Sequence, residues 1–427
     1  MTKNPGSDSS APAARRVAVI GGGPIGLEAA LAARVLGWPV TLYERGEPGA
    51  HVSAWGHVRL FSPFAMNRSP LGAAMLAETG ARLPHDDALI TGREHRDAYL
   101  APIAAHPILR DVVRSGCEVV AIARGGLLKK DLTPARAVRP FRILVREPRG
   151  VERVDEADVV IDATGTFGTP NALGAGGIAC PGERAHEAWI ARGLDDVLGR
   201  DRARYAGKRV LLVGGGHSAA TSAIDLARLC AEAAGTSVLW ATRSAREPLY
   251  AVDPNDPLPE RRDVSIAANR IAAGESPGIR RRGGLEVVEI GDASGGRVRV
   301  RLEGPGGEVA EDFDRIVANV GYGPDDGLYR ELQVHECYAS RAPMKLAAAL
   351  LADGSSDCLA QKSHGPESLT NPEPNFFIIG SKSYGRNSQF LIRIGIEQIR
   401  DVFRLLTGRE DLDATAALPR AGAARVG

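Results

Sequence analysis

One pattern constrains the fold of this chain more than any other, because it occurs twice: a short apolar run, a glycine-rich turn, and a segment with apolar residues at helical spacing. The first copy, RRVAVIGGGPIGLEAALAARVLGWPVTLYE, runs from Arg15 to Glu44, and the second, KRVLLVGGGHSAATSAIDLARLCAEAAGTSVLWATR, from Lys208 to Arg243. Runs of four to six Val, Ile and Leu without alternation fit strands covered on both faces of a parallel sheet. The Ala and Leu that follow fit a helix returning to a second strand, with Gly37 and Gly235 as helix stops. Each copy therefore predicts a βαβ unit, and the fold class is α/β with two Rossmann-like domains.

The turns carry the chemistry. Gly21, Gly23 and Gly26 form G-x-G-x-x-G directly between strand and helix: the first allows the tight turn, the second lets a pyrophosphate approach the backbone, and the third lets helix pack on strand. Free amides and the helix dipole then favour a diphosphate there. Glu44 ends the second strand about 20 residues on, where a carboxylate can accept from ribose hydroxyls. In the second copy Gly214, Gly216 and Ala219 give the G-x-G-x-x-A variant, with His217 and Ser218 at the helix start. Its second strand ends in Arg243 and has no acid. A carboxylate would repel a 2′-phosphate, whereas Arg243, helped by Arg246, can bind one through charge-assisted hydrogen bonds, which favours NADPH over NADH. The alternatives are a structural glycine turn and arginines that only solvate a loop.

Between the units, Gly92 to Ser115 reads as helix, and Glu118 to Ala123, Phe141 to Val145 and Ala157 to Asp162 read as strands. A Pro- and Asp-rich loop follows Arg243. Val298, Val300 and Leu302 then alternate with arginines in a hairpin, and a last amphipathic helix covers about Ser388 to Leu406.

Taken together these segments resemble the two-dinucleotide-binding-domain flavoproteins, nearest to the class B flavin monooxygenases of the flavin-containing and N-hydroxylating type. VVIDATGTFGTPN resembles that family's A-T-G segment, so Ala163, Thr164 and Gly165 are expected beside the flavin nucleotide. VANVGYGPD resembles its later A-T-G-Y-x-P segment, with Asn319 and Val320 departing from it. NFFIIGSKSYGRNSQFLIRIGIEQ resembles the closing strand and helix, placing Gly380 and Ser381 at the cofactor, with Ser381 where relatives carry Asp. In the loop Ser53 to Pro70, Trp55 matches a family tryptophan lying along the flavin, and Ser62 or Asn67 stands in for a family asparagine; Phe61 and Phe64 read equally as core. CPGERAHEAW partly matches a monooxygenase signature through Gly182 and His186, with Cys180 and Trp189 out of pattern, so a chance pairing is the alternative for His186.

The resemblance implies an NAD(P)H domain inserted in an FAD domain: a tail at 1–14, the first part of the FAD domain at 15–204, the NAD(P)H domain at 205–318, the C-terminal part at 319–410 and a tail at 411–427. It implies FAD and NADPH as cofactors, and a C4a-peroxyflavin that passes oxygen from molecular oxygen to a small-molecule substrate. Two other readings stay open: a reductase passing electrons to a quinone, disulfide or protein carrier, and a non-catalytic FAD-binding sensor. The intact second glycine motif argues against the sensor.

A net charge of +1 gives no field to gather nucleic acid or an anionic membrane. With no apolar run of about 18 residues and no secretory signal in the first 14, a cytoplasmic location is expected. The Pro-rich insertions could serve a homodimer. The five cysteines, Cys117, Cys180, Cys230, Cys337 and Cys358, show neither C-x-x-C nor metal-ligand spacing, so no metal is expected. Cys337 and Cys358 lie in the segment expected to return toward the flavin and are the pair to test for redox activity.

Overall fold

The computed structural model describes residues 14–353 and 363–417. Residues 1–13 of the expected tail at 1–14, residues 418–427 and Cys358 lie outside the described residues.

Val17–Ile20, buried at all four positions, pairs in parallel with Val40–Glu44 on one side and Val159–Asp162 on the other. Phe376–Ile378 and Val113–Ser115 complete a five-stranded parallel sheet. Strand side chains alternate between faces, and here both faces are covered. Val17, Val19, Val159 and Ile161 pack with the helices Pro24–Val35 and Ile392–Thr407, while Ala18, Ile20 and Val160 meet an antiparallel meander through its Ile122, Phe141, Ile143 and Val145. The meander comprises Glu118–Arg124, Phe141–Arg146 and Glu152–Ala157.

The second copy builds the same three layers. Its parallel sheet runs in the order Ile279–Gly283, Ser237–Thr242, Arg209–Val213, Arg315–Ala318, Ile190–Ala191. Val210, Leu212, Val238 and Trp240 pack with the helices His217–Glu232 and Pro259–Ala272, and Leu211, Val213, Leu239 and Ala241 with the meander Glu286–Ala293, Arg297–Gly304 and Gly307–Phe313. Two Rossmann-like domains, each a sheet between helices and a meander, make up the chain.

The sheet pairing moves the expected boundaries. Ile190–Ala191, assigned from sequence to the first domain, is the edge strand of the second sheet, and Leu173 and Cys180 belong to the second domain's core. The crossing lies at 167–171 going out and 320–323 coming back. There the Asn171 amide donates to the Gly321 carbonyl and the Gly323 amide to the Thr169 carbonyl, 3.0 Å each, and the Phe167 and Tyr322 rings stack at 4.9 Å. The expected long helix over 92–115 ends at Ala105, where His106 turns extended ahead of Pro107, and Val113–Ser115 is a strand. The start of the expected C-terminal tail is packed: Leu412 and Ala414 are buried, and the Leu71 amide donates to the Thr415 carbonyl. Among the described residues no helix is long and apolar enough to cross a membrane.

Candidate functional site

At the carboxyl end of the first sheet three separate segments meet the Gly21–Gly26 turn. Gly21 has φ +100°, a left-handed value that disfavours any side chain, and a Cβ there would lie 2.7 Å from the Ala163 carbonyl oxygen. A Cβ at Gly26 would lie 1.8 Å from the Gly21 carbonyl oxygen, whereas nothing in the protein lies within 4 Å of the place a Gly23 Cβ would take. The outer glycines thus satisfy protein packing, and the middle one faces open space. The Glu44 carboxylate accepts from the Gly22 amide at 2.6 Å and the Gly46 amide at 2.7 Å, leaving lone pairs for further donors. Gly165 and Ser381 face each other, with the Ser381 hydroxyl 3.3 Å from where a Gly165 Cβ would stand. Gly380 is held by its amide donating to Gln398 at 2.8 Å. Gly21, Gly23, Gly26, Glu44, Ala163, Thr164, Gly165, Gly380 and Ser381 therefore border one region.

Beneath that region lies a pair that sequence reasoning missed. The Lys382 ammonium donates to Asp162 at 2.6 Å and to the Thr164 hydroxyl at 3.1 Å, and the Thr164 hydroxyl donates to Asp162 at 2.7 Å. Both charged side chains are fully enclosed. An isolated charge there would be costly, so each requires the other. No local signal marks the pair, since its members stand 220 positions apart.

The second turn repeats the first. Gly214 has φ +139°, and a Cβ on it would lie 2.2 Å from the Asn319 carbonyl oxygen; Gly215 and Gly216 face open space. Asn319 is buried and ties the turn down, its side chain accepting from Ser222 at 2.7 Å and donating to the Gly193 carbonyl at 2.9 Å. Ala219 is fully buried and Ser218 exposed. His217 bonds Ser265 at 3.2 Å, and burial pushes its imidazole below the ordinary range. Arg243 and Arg246 are exposed at the end of the adjacent strand.

The loop Ser53–Pro70 links the domains. Phe61 meets His217 edge-on at 5.6 Å. Ser62 and Asn67 bond to each other at 3.0 Å, and the Asn67 amide donates to the carbonyls of Ser62 and Pro63, so these side chains close the loop on itself. Trp55 packs against Gly92, where a Cβ would come within 2.6 Å of its ring, and Phe64 is core. Below the loop, His95 bonds the Asn67 carbonyl at 2.8 Å, and burial pushes its imidazole down to about 4. Glu28, raised by burial, accepts from Ser69 and Tyr99.

His186 stands apart from this cluster. Its described hydrogen bonds go to the Gly182 carbonyl at 2.8 Å and to the exposed Asp292 at 3.2 Å, both in the second domain beside its meander. Of the cysteines, burial and Glu183 push the Cys180 thiol up to about 11, and burial raises Cys230. Hydrogen bonds from Ser340 and the Ala339 backbone hold Cys337 below the usual thiol range.

Two such cradles, each at the carboxyl end of a parallel sheet and joined by a two-stranded ribbon, define the class by fold: two Rossmann-like α/β domains in one chain. The pyridine nucleotide-disulphide oxidoreductase family matches residues 16–48, the first glycine turn and its flanking strands. Similar solved structures include the bacillithiol disulfide reductase of Bacillus cereus, 18% identical, covering 93% of this chain and 99% of that one with a TM-score of 0.65. The ornithine N-hydroxylase of Kutzneria sp. 744, in complex with reduced FAD, NADP+ and L-ornithine, is 18% identical over 93% of this chain and 99% of that one, with a TM-score of 0.63. A cadaverine monooxygenase of Erwinia amylovora bound to FAD is 13% identical over 96% and 97%, also with a TM-score of 0.63. No curated protein matches the sequence.

Proposed function

We propose that this chain is an FAD-dependent oxidoreductase that takes electrons from NADPH and acts as a monooxygenase on a small molecule in the cytoplasm. One observation carries the cofactor reading: in both turns the first glycine is enclosed by a neighbouring carbonyl while the glycine two positions on opens outward. A turn needed only for packing has no use for the open glycine, whereas a diphosphate does. The Gly21 to Gly26 turn would bind the FAD diphosphate, Glu44 its ribose, and Ala163 to Gly165 with Gly380 and Ser381 the rest of the nucleotide. Gly214 to Ala219 with His217 and Ser218 would hold the nicotinamide nucleotide, and Arg243 its 2′-phosphate. Bound flavin supplies the redox chemistry, accepting hydride and reacting with oxygen. The chain's own residues orient the two nucleotides and exclude water, with Trp55, Ser62 and Asn67 shaping the flavin-side loop. The likeness to an ornithine N-hydroxylase and a cadaverine monooxygenase supports the monooxygenase choice.

A disulfide-reducing activity is the second reading. It is favoured by the lowered thiol of Cys337, whose turn is gripped by the Arg386 amide donating to the Ser340 carbonyl at 2.7 Å, next to the Gly380–Tyr384 segment.

Mixing the purified protein with NADPH under nitrogen and then admitting air separates these readings. Flavin bleaching followed by prompt oxygen uptake supports oxygen chemistry. Bleaching that persists in air until a disulfide is added, with Cys337→Ser bleaching normally but failing to recolour on that addition, supports the reductase. A colourless protein unable to take up FAD overturns both.

A further inference from the structure

The second domain contains a buried arginine for which the cofactor reading gives no role. Arg281 lies on the Ile279–Gly283 strand, neighbour to the strand ending at Thr242, and its side chain is only 4% exposed. Its guanidinium donates to the Thr242 hydroxyl at 3.2 Å, the Ser244 carbonyl at 2.9 Å and the Arg246 carbonyl at 3.1 Å. The nearest described carboxylate, Glu247, is 84% exposed and 3.6 Å away, so the hydrogen-bond partners are neutral. Two positions on, the strand makes room for the same loop: a Cβ on Gly283 would lie 2.8 Å from the Ala245 Cα and 3.0 Å from the Ser244 carbonyl oxygen. The turn that presents Arg243 and Arg246 to solvent is therefore fastened from below by one planar fork. Long exposed side chains lose conformational freedom when they bind, and a fixed backbone beneath them reduces that loss.

We propose that Arg281 is the positioning residue that makes the second nucleotide site selective for a 2′-phosphorylated nucleotide, by holding the 242–246 backbone so that Arg243 and Arg246 converge on the phosphate. The inference rests on the reading that Arg243 binds that phosphate. Its Nε and Nη2 donors are taken up by the loop and its Nη1 lies 3.6 Å from the Glu247 carboxylate, so its role is to position the loop rather than to touch the ligand. A lysine has three donors but on one nitrogen, without the planar spread over Nε and Nη2, so it would not hold the three acceptors in this geometry.

The test is isothermal titration of the flavin-loaded protein with adenosine 2′,5′-bisphosphate and with 5′-AMP, alongside steady-state KM values for NADPH and NADH. Arg281→Met and Arg281→Lys should each weaken the bisphosphate and raise the NADPH KM by about ten-fold, while 5′-AMP, NADH and the kcat at saturating NADPH stay within about two-fold. Thr242→Val, a milder change for use if the Arg281 variants melt early, should shift the same ratio by about two- to three-fold. Equal weakening of both ligands would overturn the proposal in favour of a general structural role, and a fully selective Arg281→Lys would overturn it in favour of charge alone. Arg243→Ala is the control for the underlying reading. Should it affect both ligands alike, the phosphate assignment fails; should it be selective while the Arg281 variants are not, only the present inference fails.

Discussion

Alanine at two glycines of the first turn should separate folding from nucleotide binding. At Gly26 the added Cβ would lie 1.8 Å from the Gly21 carbonyl oxygen, 1.2 Å inside the 3.0 Å limit that real Cβ contacts respect, and the opposing atom is backbone. The helix Pro24–Val35 must then lift from the Val17–Ile20 strand, separating a closely packed core. Overpacking of this kind costs about 1–3 kcal/mol, or roughly 2–4 °C in melting temperature for each kcal/mol. Gly23 has φ −78° and ψ −174°, values open to alanine, and no protein atom near its missing Cβ. Gly23→Ala should therefore melt within about 0.5 kcal/mol of the parent when both are stripped of flavin. Its methyl group would stand where the proposed diphosphate would approach, so its FAD dissociation constant should rise at least about ten-fold. The assay is thermal melting of the stripped proteins together with FAD titration by fluorescence quenching. A Gly23→Ala protein that binds FAD as tightly as the parent would refute the assignment of this turn.

Three further perturbations follow from the buried titratable groups. Folding keeps His95 neutral, with its imidazole pushed to about 4, so its contribution is complete above the unfolded value near 6.5 and is lost as pH falls toward 4. Between pH 7 and pH 5 the parent should lose about 2 kcal/mol relative to His95→Gln in urea denaturation, and parallel pH profiles would contradict this. Glu373 is fully enclosed between Arg124 and Arg136, whose guanidinium groups hold its carboxyl below the usual range against the upward pull of burial. Glu373→Gln should cost about 3–5 kcal/mol, because two buried cations lose their partner; the urea midpoint checks it. Lys382→Met leaves Asp162 enclosed without a cation and should destabilise by a similar amount, about 3–5 kcal/mol, whereas Lys382→Met combined with Asp162→Asn should recover much of that loss in the same assay.

Local geometry explains which parts of the protein are legible in its amino-acid order. A strand, a turn and a helix within some thirty residues are set by side-chain period and by what a glycine alone permits, so both βαβ units, Gly21, Gly26, Gly214 and the stops at Gly37 and Gly235 can be read directly. The meander strands are readable for the same reason, from the alternation of Val298, Val300 and Leu302 with arginines. Where the fold departs from that reading, the deciding contact is distant. Ile190–Ala191 looks like any two apolar residues until Arg315–Ala318 pairs with it, and Leu412 and Ala414 look like tail until the first domain's core covers them.

Two glycine-rich turns between parallel strands and helices are thus dictated by sequence, because each turn is specified within its own segment. The support beneath those turns exists only in three dimensions. Asp162 meets Lys382 from 220 positions away, Arg124 meets Glu373 from 249, and Arg281 reaches under the Thr242 to Arg246 turn from the next strand. A buried charge must find its partner wherever the sheet order brings one within reach, and that order comes from the burial of both faces of two sheets, which no single segment encodes.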